Sequence, residues 1–413
     1  MIANGSFSSN RNWRPDPSLL RRIKTSYRES IARYEQPAGS MWGIIAERRN
    51  DIHQALLEDD DERTAELLGN PSKTELYYGM DIVHAQTVAP LKASEATQTL
   101  TKNLVQTHFV AMAESTGARR FWYFEAQGPR SEPTIATIEE MLDSIDKVFG
   151  VRLHYPNPFD DEFGVQTSRG IIVARTPMAI YQSWKVALVA NLVKGRKILE
   201  IGPGTGRSLF YSYSSGLTDF EIGPGTGRSL FYSYSSGLTD YTTIDLPMGI
   251  VGQACFLAAT LGPERIWMIG DDPATQEGRV RLLPPYVLYE SPEDFDVVLN
   301  VDSLTEMDPQ QSITYLRYAF DHALALISIN HEFNAHTFQN LADMAGISQR
   351  PLRSVDASTR RKCADSVTAL PDFTLPPDPE VHMGGHGLYS TVLDYAKFIR
   401  MWLNDGQGPG GRV

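Results

Sequence analysis

Cysteine is nearly absent from this chain, whose 413 residues carry two, Cys255 and Cys363. Such a count excludes a disulfide framework and suits a reducing compartment. Basic charge is short as well: 38 Lys and Arg stand against 50 Asp and Glu, a net charge of −12, with no basic tract. Nucleic-acid binding needs a positive footprint, so no nucleic-acid partner is expected. No run approaches the roughly 20 apolar residues of a membrane span. The opening Met1-Ile2-Ala3-Asn4-Gly5-Ser6 lacks the charged and apolar regions of a signal peptide. A cytoplasmic protein without a membrane partner is the expectation. The zinc-protease spacing His-Glu-x-x-His is missing too, because the next histidine after His331-Glu332 is His336. What remains, 42% hydrophobic and 21% charged residues, is ordinary globular composition and long enough for two or three domains.

Against that background one stretch stands out. Lys197-Ile198-Leu199-Glu200-Ile201 is followed by Gly202-Pro203-Gly204-Thr205-Gly206-Arg207-Ser208 and later by Tyr241-Thr242-Thr243-Ile244-Asp245. The pattern reads as a buried strand, a glycine turn opening a helix, and a second strand ending in a carboxylate. Glycines are needed where a ligand approaches the backbone or φ turns positive. A helix start offers free N–H groups, and a terminal acid suits the paired hydroxyls of a ribose. The dinucleotide fingerprint requires a third glycine where this chain has Arg207. Glu-x-Gly-x-Gly-x-Gly resembles instead motif I of the class I S-adenosylmethionine-dependent methyltransferases, which makes Glu200, Gly202, Gly204, Gly206 and Asp245 the candidate cofactor-binding residues.

The same stretch is duplicated. Residues 200–219 and 221–240 are the same twenty letters at an offset of 21. Repeat architectures need at least three units with atypical ends, so this is a local duplication and not a solenoid. Copy one is preceded by Arg196-Lys197-Ile198-Leu199, which completes a buried strand; copy two follows Leu217-Thr218-Asp219-Phe220, the end of a helix and a turn. A central strand wants about five apolar residues. Gly202, Gly204 and Gly206 are therefore expected to line the cofactor, with Gly223, Gly225 and Gly227 in an insertion. Doubling a loop adds only about 0.6 kcal/mol of closure entropy.

Taken in order, residues 1–16 are polar and expected to be disordered, and 17–150 read as a helical accessory region. Within it Glu58-Asp59-Asp60-Asp61-Glu62 reads as a solvated helix face or turn, and Phe121-Trp122-Tyr123-Phe124 as core. Residues 151–355 alternate strands with helices, the pattern of a doubly wound, mainly parallel Rossmann-like sheet. Pro177–Val193, 249–261 and 309–323 read as helices; 266–269, 280–283, 295–301 and 325–329 read as strands. Arg169, in a polar loop beside the expected site, either grips a substrate or pairs with a surplus carboxylate. The glycine turn, Asp245, Asp302–Glu306 and Asn330–Glu332 all fall at strand carboxyl ends, where such sheets bind ligands.

Met41-Trp42-Gly43, Tyr77-Tyr78-Gly79-Met80-Asp81, Tyr155-Pro156-Asn157-Pro158-Phe159, Thr167-Ser168-Arg169-Gly170, Asn300-Val301-Asp302-Ser303-Leu304-Thr305-Glu306-Met307 and Ser328-Ile329-Asn330-His331-Glu332 together resemble the sugar O-methyltransferase family. The similarity runs from about residue 40 to about 350. It implies a class I methyltransferase fold and methylation of a hydroxyl on a small-molecule acceptor, a sugar or something sugar-like. The chain departs from that pattern in its duplication and in residues 356–413. There His382-Met383-Gly384-Gly385-His386-Gly387-Leu388-Tyr389 and Asp394-Tyr395-Ala396-Lys397-Phe398 resemble a fragment of class C β-lactamase-like serine hydrolases. That chemistry needs a Ser-x-x-Lys on one complete fold. The match Ser144-Ile145-Asp146-Lys147 lies far upstream, so the tail is expected to be catalytically silent.

Methyl transfer to a hydroxyl requires aligned reactants and removal of the hydroxyl proton. His331 is the first choice of base, since neutral imidazole accepts a proton near neutral pH. Glu306 and Asp302 are the second, as bases or as partners of sugar hydroxyls. The plain alternative makes His331 a satisfied strand-end residue. Asp302, Glu306 and His331 are compatible with Mg²⁺, although no spacing demands a metal, and no metal ligand is assigned. Two rival readings stand beside the methyltransferase: a nicotinamide-dependent oxidoreductase, and a non-functional chimera with a duplicated cofactor loop. The oligomeric state leaves no mark in the sequence.

Overall fold

The computed structural model describes residues 4–9, 13–34, 41–119, 137–214, 240–330, 334–347, 407–408 and 411–412. The Phe121–Phe124 cluster, the second copy of the glycine turn, His331 with Glu332, and nearly all of the hydrolase-like tail lie outside the described residues. The chain divides into two units, residues 1–224 with 229–362, and 225–228 with 363–413. In the second, the described residues are a two-residue antiparallel pair, Gln407–Gly408 against Gly411–Arg412.

The first unit opens with β1 (Gly5–Phe7) and six helices: α1 (Pro17–Ile31), α2 (Met41–Arg48), α3 (Asn50–Leu57), α4 (Asp61–Gly69), α5 (Ala85–Ala93) and α6 (Glu95–Ser115). Then come α7 (Ile138–Phe149), β2 (Phe163–Thr167), β3 (Gly170–Val173), α8 (Thr176–Val193), β4 (Lys197–Ile201) and α9 (Arg207–Ser214). The order continues β5 (Asp240–Ile244), α10 (Pro247–Leu261), β6 (Ile266–Met268), β7 (Val280–Leu283), α11 (Tyr286–Glu290) and β8 (Phe295–Val301). It ends with α12 (Ser303–Glu306), α13 (Pro309–His322), β9 (Ala323–Ile329) and α14 (Phe338–Met344).

Strands β4 to β9 form one six-stranded sheet in the order β6-β7-β5-β4-β8-β9. Every pairing in it is parallel. Side chains alternate across such a sheet, and the core divides accordingly. Ile198, Tyr241 and Val297 join α8, α9 and α10 on one face. Leu199, Ile244 and Val298 join α13 and α14 on the other. This is the doubly wound α/β class that alternating strands and helices predict.

Two expectations need correction. Residues 5–7 are not disordered: β1 pairs antiparallel with β2, and the rings of Phe7 and Phe163 sit 4.7 Å apart. Their polar neighbours hide this, because a backbone ladder is indifferent to composition. The helices of the N-terminal half, read as an accessory region, share an apolar cluster with the sheet. Leu19 and Ile23 of α1 and Phe109 of α6 lie in the same apolar cluster as Ile198 and Val251. Spacing reveals that a helix has an apolar face, and says nothing of what covers it. Finally, α10 starts at Pro247, where the missing N–H is harmless in a first turn, and β9 starts at Ala323. The acidic run behaves as read: Asp60 caps α4 by accepting from the Arg63 N–H at 2.9 Å. Among the described residues, no helix is long and apolar enough to cross a membrane.

Candidate active site

The sheet reverses its winding direction at β4, which lies between β5 and β8. Such a switch point leaves a crevice beyond the strand ends. Register fixes what reaches it. Ile201 is level with Ile244 on one side and Asn300 on the other, and Val301 is level with Ile329. Gly202, Asp245, Asp302 and Asn330 therefore follow at one edge. A cavity of about 220 Å³ opens there, and Glu200, Gly202, Gly204, Asp245, Asp302 and Glu306 all line it.

The turn after β4 has the backbone that only glycine adopts easily, with φ of +68° at Gly202, +62° at Gly204 and +83° at Gly206. Their roles differ. A Cβ on Gly202 would lie 2.4 Å from Ser303 Oγ, so this glycine lets the turn pass beneath the start of α12. A Cβ on Gly204 would meet nothing closer than the Met80 carbonyl oxygen at 3.5 Å. Gly206 departs from its expected place on the cavity wall: its neighbour is the Leu257 side chain of α10, so it serves helix packing.

Glu200 and Asp245 are both committed. Glu200 is buried in β4, where Ser208 donates to its Oε1 at 2.5 Å and Tyr241 to its Oε2 at 2.8 Å. Burial pushes its carboxyl up to about 7, against the pull of those two hydroxyls. It thus ties β4 to α9 and β5. Asp245 is partly buried and accepts from the Leu246 N–H at 2.7 Å and from Gln253 Nε2 at 2.8 Å. Burial raises this carboxyl to about 7 as well, opposed by the Leu246 N–H, the Arg49 guanidinium and the Gly204 N–H. A ribose hydroxyl would meet it through its remaining lone pairs.

On the other flank, Asp302 is a non-glycine residue held at a φ of +58° directly after β8. Non-glycine residues in this region are uncommon, and they persist where the surroundings dictate them. Here the Asp302 N–H donates to the Ile329 carbonyl at 2.8 Å, and Asn300 beneath it donates to the Ile201 carbonyl at 3.0 Å. Asn330 donates to Asn300 Oδ1 at 3.0 Å, so the ends of β4, β8 and β9 are laced together by amides. His331 falls outside the described residues. No group of three or more His, Cys, Asp or Glu that could hold a metal ion occurs among the described residues.

Arg169 does not reach the cavity. It pairs with Asp146 at 2.5 Å and Asp143 at 2.7 Å, as the plainer reading had it. Sequence reasoning missed the opposite wall. Tyr34, Trp42, Gly79 and Met80 from the helical half, and Met178 and Gln182 from α8, belong to the lining as well. Trp42 and Gly79-Met80 sit inside motifs that carry the family resemblance, which was the available signal.

No family model matches the chain, and no curated protein matches it. Among solved structures, that of the mitomycin 7-O-methyltransferase MmcR is similar over 41% of this chain and 41% of its own, at 14% identity and a TM-score of 0.25. That of PigF with SAH is similar over 37% of this chain and 40% of its own, at 16% identity and a TM-score of 0.22. The chain spans about two fifths of the length of either structure.

Proposed function

We propose that this chain is an S-adenosylmethionine-dependent O-methyltransferase acting on a hydroxyl of a sugar or sugar-like small molecule. One observation carries the reading: the positive-φ turn Gly202–Gly204 and the carboxylate of Asp245 face one cavity at the switch point of a doubly wound sheet. The residues present fit such a cofactor, because the glycine turn and Asp245, directly after the neighbouring strand, line the same cavity. Bound there, S-adenosylmethionine would supply an electrophilic methyl group on a sulfonium. The chain's part is to accept the ribose hydroxyls at Asp245, exclude water with the Trp42–Met80 wall, and receive the acceptor's proton. His331 is the proposed base, with Glu306 and Asp302 binding sugar hydroxyls or serving in its place. In this scheme residues 151–355 carry the cofactor, 17–150 supply the opposite wall, and 356–413 take no part in the chemistry.

Calorimetric titration with S-adenosylmethionine, S-adenosylhomocysteine and NAD tests the proposal. Binding of the first two and not of NAD supports it; binding of NAD alone points to an oxidoreductase. Binding of none points to a chimera without activity.

A pH dependence follows. The carboxyl of Asp245 is raised to about 7 in the free protein, and hydroxyl donors favour its ionised form. Affinity for S-adenosylhomocysteine is therefore expected to fall below pH 7, approaching about tenfold per unit, and to level off above it. Titrations from pH 5.5 to 8.5 check this. The Asp245→Asn variant should bind more weakly, with a flat profile.

A further inference from the structure

Arg207 replaces the third glycine of a dinucleotide loop, yet its side chain is almost wholly buried, at the edge of the cavity it helps to line. Its side chain is 5% exposed, and those of its two partners, Asp81 and Glu162, are wholly buried. Arg207 Nε donates to Asp81 Oδ2 at 2.6 Å, and Nη2 donates to Glu162 Oε2 at 2.8 Å. The guanidinium also lies over the Phe256 ring of α10, 4.7 Å from its centroid. Thr205, inside the glycine turn, donates to the same Asp81 Oδ2 at 3.3 Å. Two residues of the turn thus hold one carboxylate. Burial raises both acids, but Arg207 brings Asp81 below its ordinary range while Glu162 remains above its own. Asp81 is also the nearer partner, at 2.6 Å against 2.8 Å.

What Asp81 carries is the point. It ends Tyr77-Tyr78-Gly79-Met80-Asp81, whose Gly79 and Met80 line the cavity, with Met80 against Gly204 of the glycine turn. The front of this segment is docked independently. Tyr77 donates to the Gly252 carbonyl of α10 at 2.9 Å, in a space that a side chain on Gly252 would fill. Arg49 donates to the Tyr78 carbonyl oxygen. Met80 packs on Gly204, and Asp81 carries the hydrogen bonds to Thr205 and Arg207.

Resting on the methyltransferase reading, we infer that Arg207 is a positioning residue: it clamps the Gly79–Asp81 segment to the glycine turn, so that these two parts of the cofactor cavity's lining keep a fixed relation. Arginine suits the task because its planar fork donates to two carboxylates at once, which an ammonium cannot match in geometry. The cofactor site is then composite, built by residues more than a hundred positions apart, as the 126-residue separation of Asp81 and Arg207 attests.

Asp81→Asn is the sharpest test, since it leaves the Arg207–Glu162 pair and every cavity-lining side chain in place. Two readouts are needed. At a temperature well below the thermal midpoint, S-adenosylhomocysteine should bind at least about tenfold more weakly, a loss of about 1.4 kcal/mol. Hydrogen exchange should quicken together at residues 77–82 and 202–208. A folded variant with wild-type affinity and unchanged exchange overturns the inference, as does faster exchange in one segment alone. Should Asp81→Asn fail to fold, Arg207→Lys decides by the same readouts, with an effect smaller than that of Arg207→Gln. A wild-type chain that binds no S-adenosylhomocysteine removes the methyltransferase reading, and the exchange comparison then judges the clamp by itself.

Discussion

Gly204→Val is expected to weaken S-adenosylhomocysteine binding about 100-fold or more while the chain stays folded, a loss of about 2.7 kcal/mol. Gly204 sits at a φ of +62°, a region that a β-branched residue occupies only under strain. A Cβ there would already touch Met80 at 3.5 to 4.0 Å, and both residues line the cavity, so valine's added methyl groups crowd the cavity wall. The strain shifts the turn and the methyl groups block it; both act on binding. Gly225→Val, at the equivalent place in the second copy, is the control and should bind as wild type. Calorimetry on the pair, with circular dichroism to verify folding, settles which copy serves. Loss of binding in Gly225→Val, with Gly204→Val intact, would reverse the assignment.

A larger effect on turnover is expected at the proposed base. His331→Ala should lower kcat by about 10² to 10⁴, the usual contribution of a positioned acid or base, and leave cofactor affinity within about twofold. Glu306→Gln and Asp302→Asn should mainly raise the KM of the acceptor. The same three variants separate the alternatives. If Glu306→Gln loses kcat while His331→Ala keeps it, the base is the carboxylate that lines the cavity, and His331 reverts to a strand-end residue. Measuring kcat and KM separately, with a methyl-acceptor panel of free sugars, provides the answer.

Much of the frame was legible because it is local. The run Lys197–Ile201 is apolar and short, Phe295–Val301 likewise, and both are central strands of the sheet. The turn's positive φ was foreseeable from its glycines, and Asp245 from its place after a strand. The site's other half was not legible, for a physical reason. Gly79 and Met80 reach the cavity only through contacts between distant segments, which leave no spacing to read. Arg207 shows the limit most clearly. From the sequence it marks an absent glycine; in the fold it is the centre of a buried ion triad whose partners lie 126 and 45 residues away. Likewise Glu200 lines the cavity as expected of a cofactor-binding candidate, but its hydrogen bonds from Ser208 and Tyr241 were not legible in the sequence.

The placement of β4 also sets a schedule for synthesis. This strand is flanked by β5 and β8, and Ile201 lies beside Asn300, a partner 99 residues further along the chain. A ribosome adding about 5 to 20 residues per second needs about 5 to 20 seconds to deliver that partner. Through this interval β4, an interior strand in the finished sheet, stands as an edge with Leu199 and its backbone amides uncovered. Open strand edges invite pairing between chains. A nascent chain stalled before residue 295 should therefore be the most aggregation-prone length on the way to the full protein, and the one most in need of a chaperone.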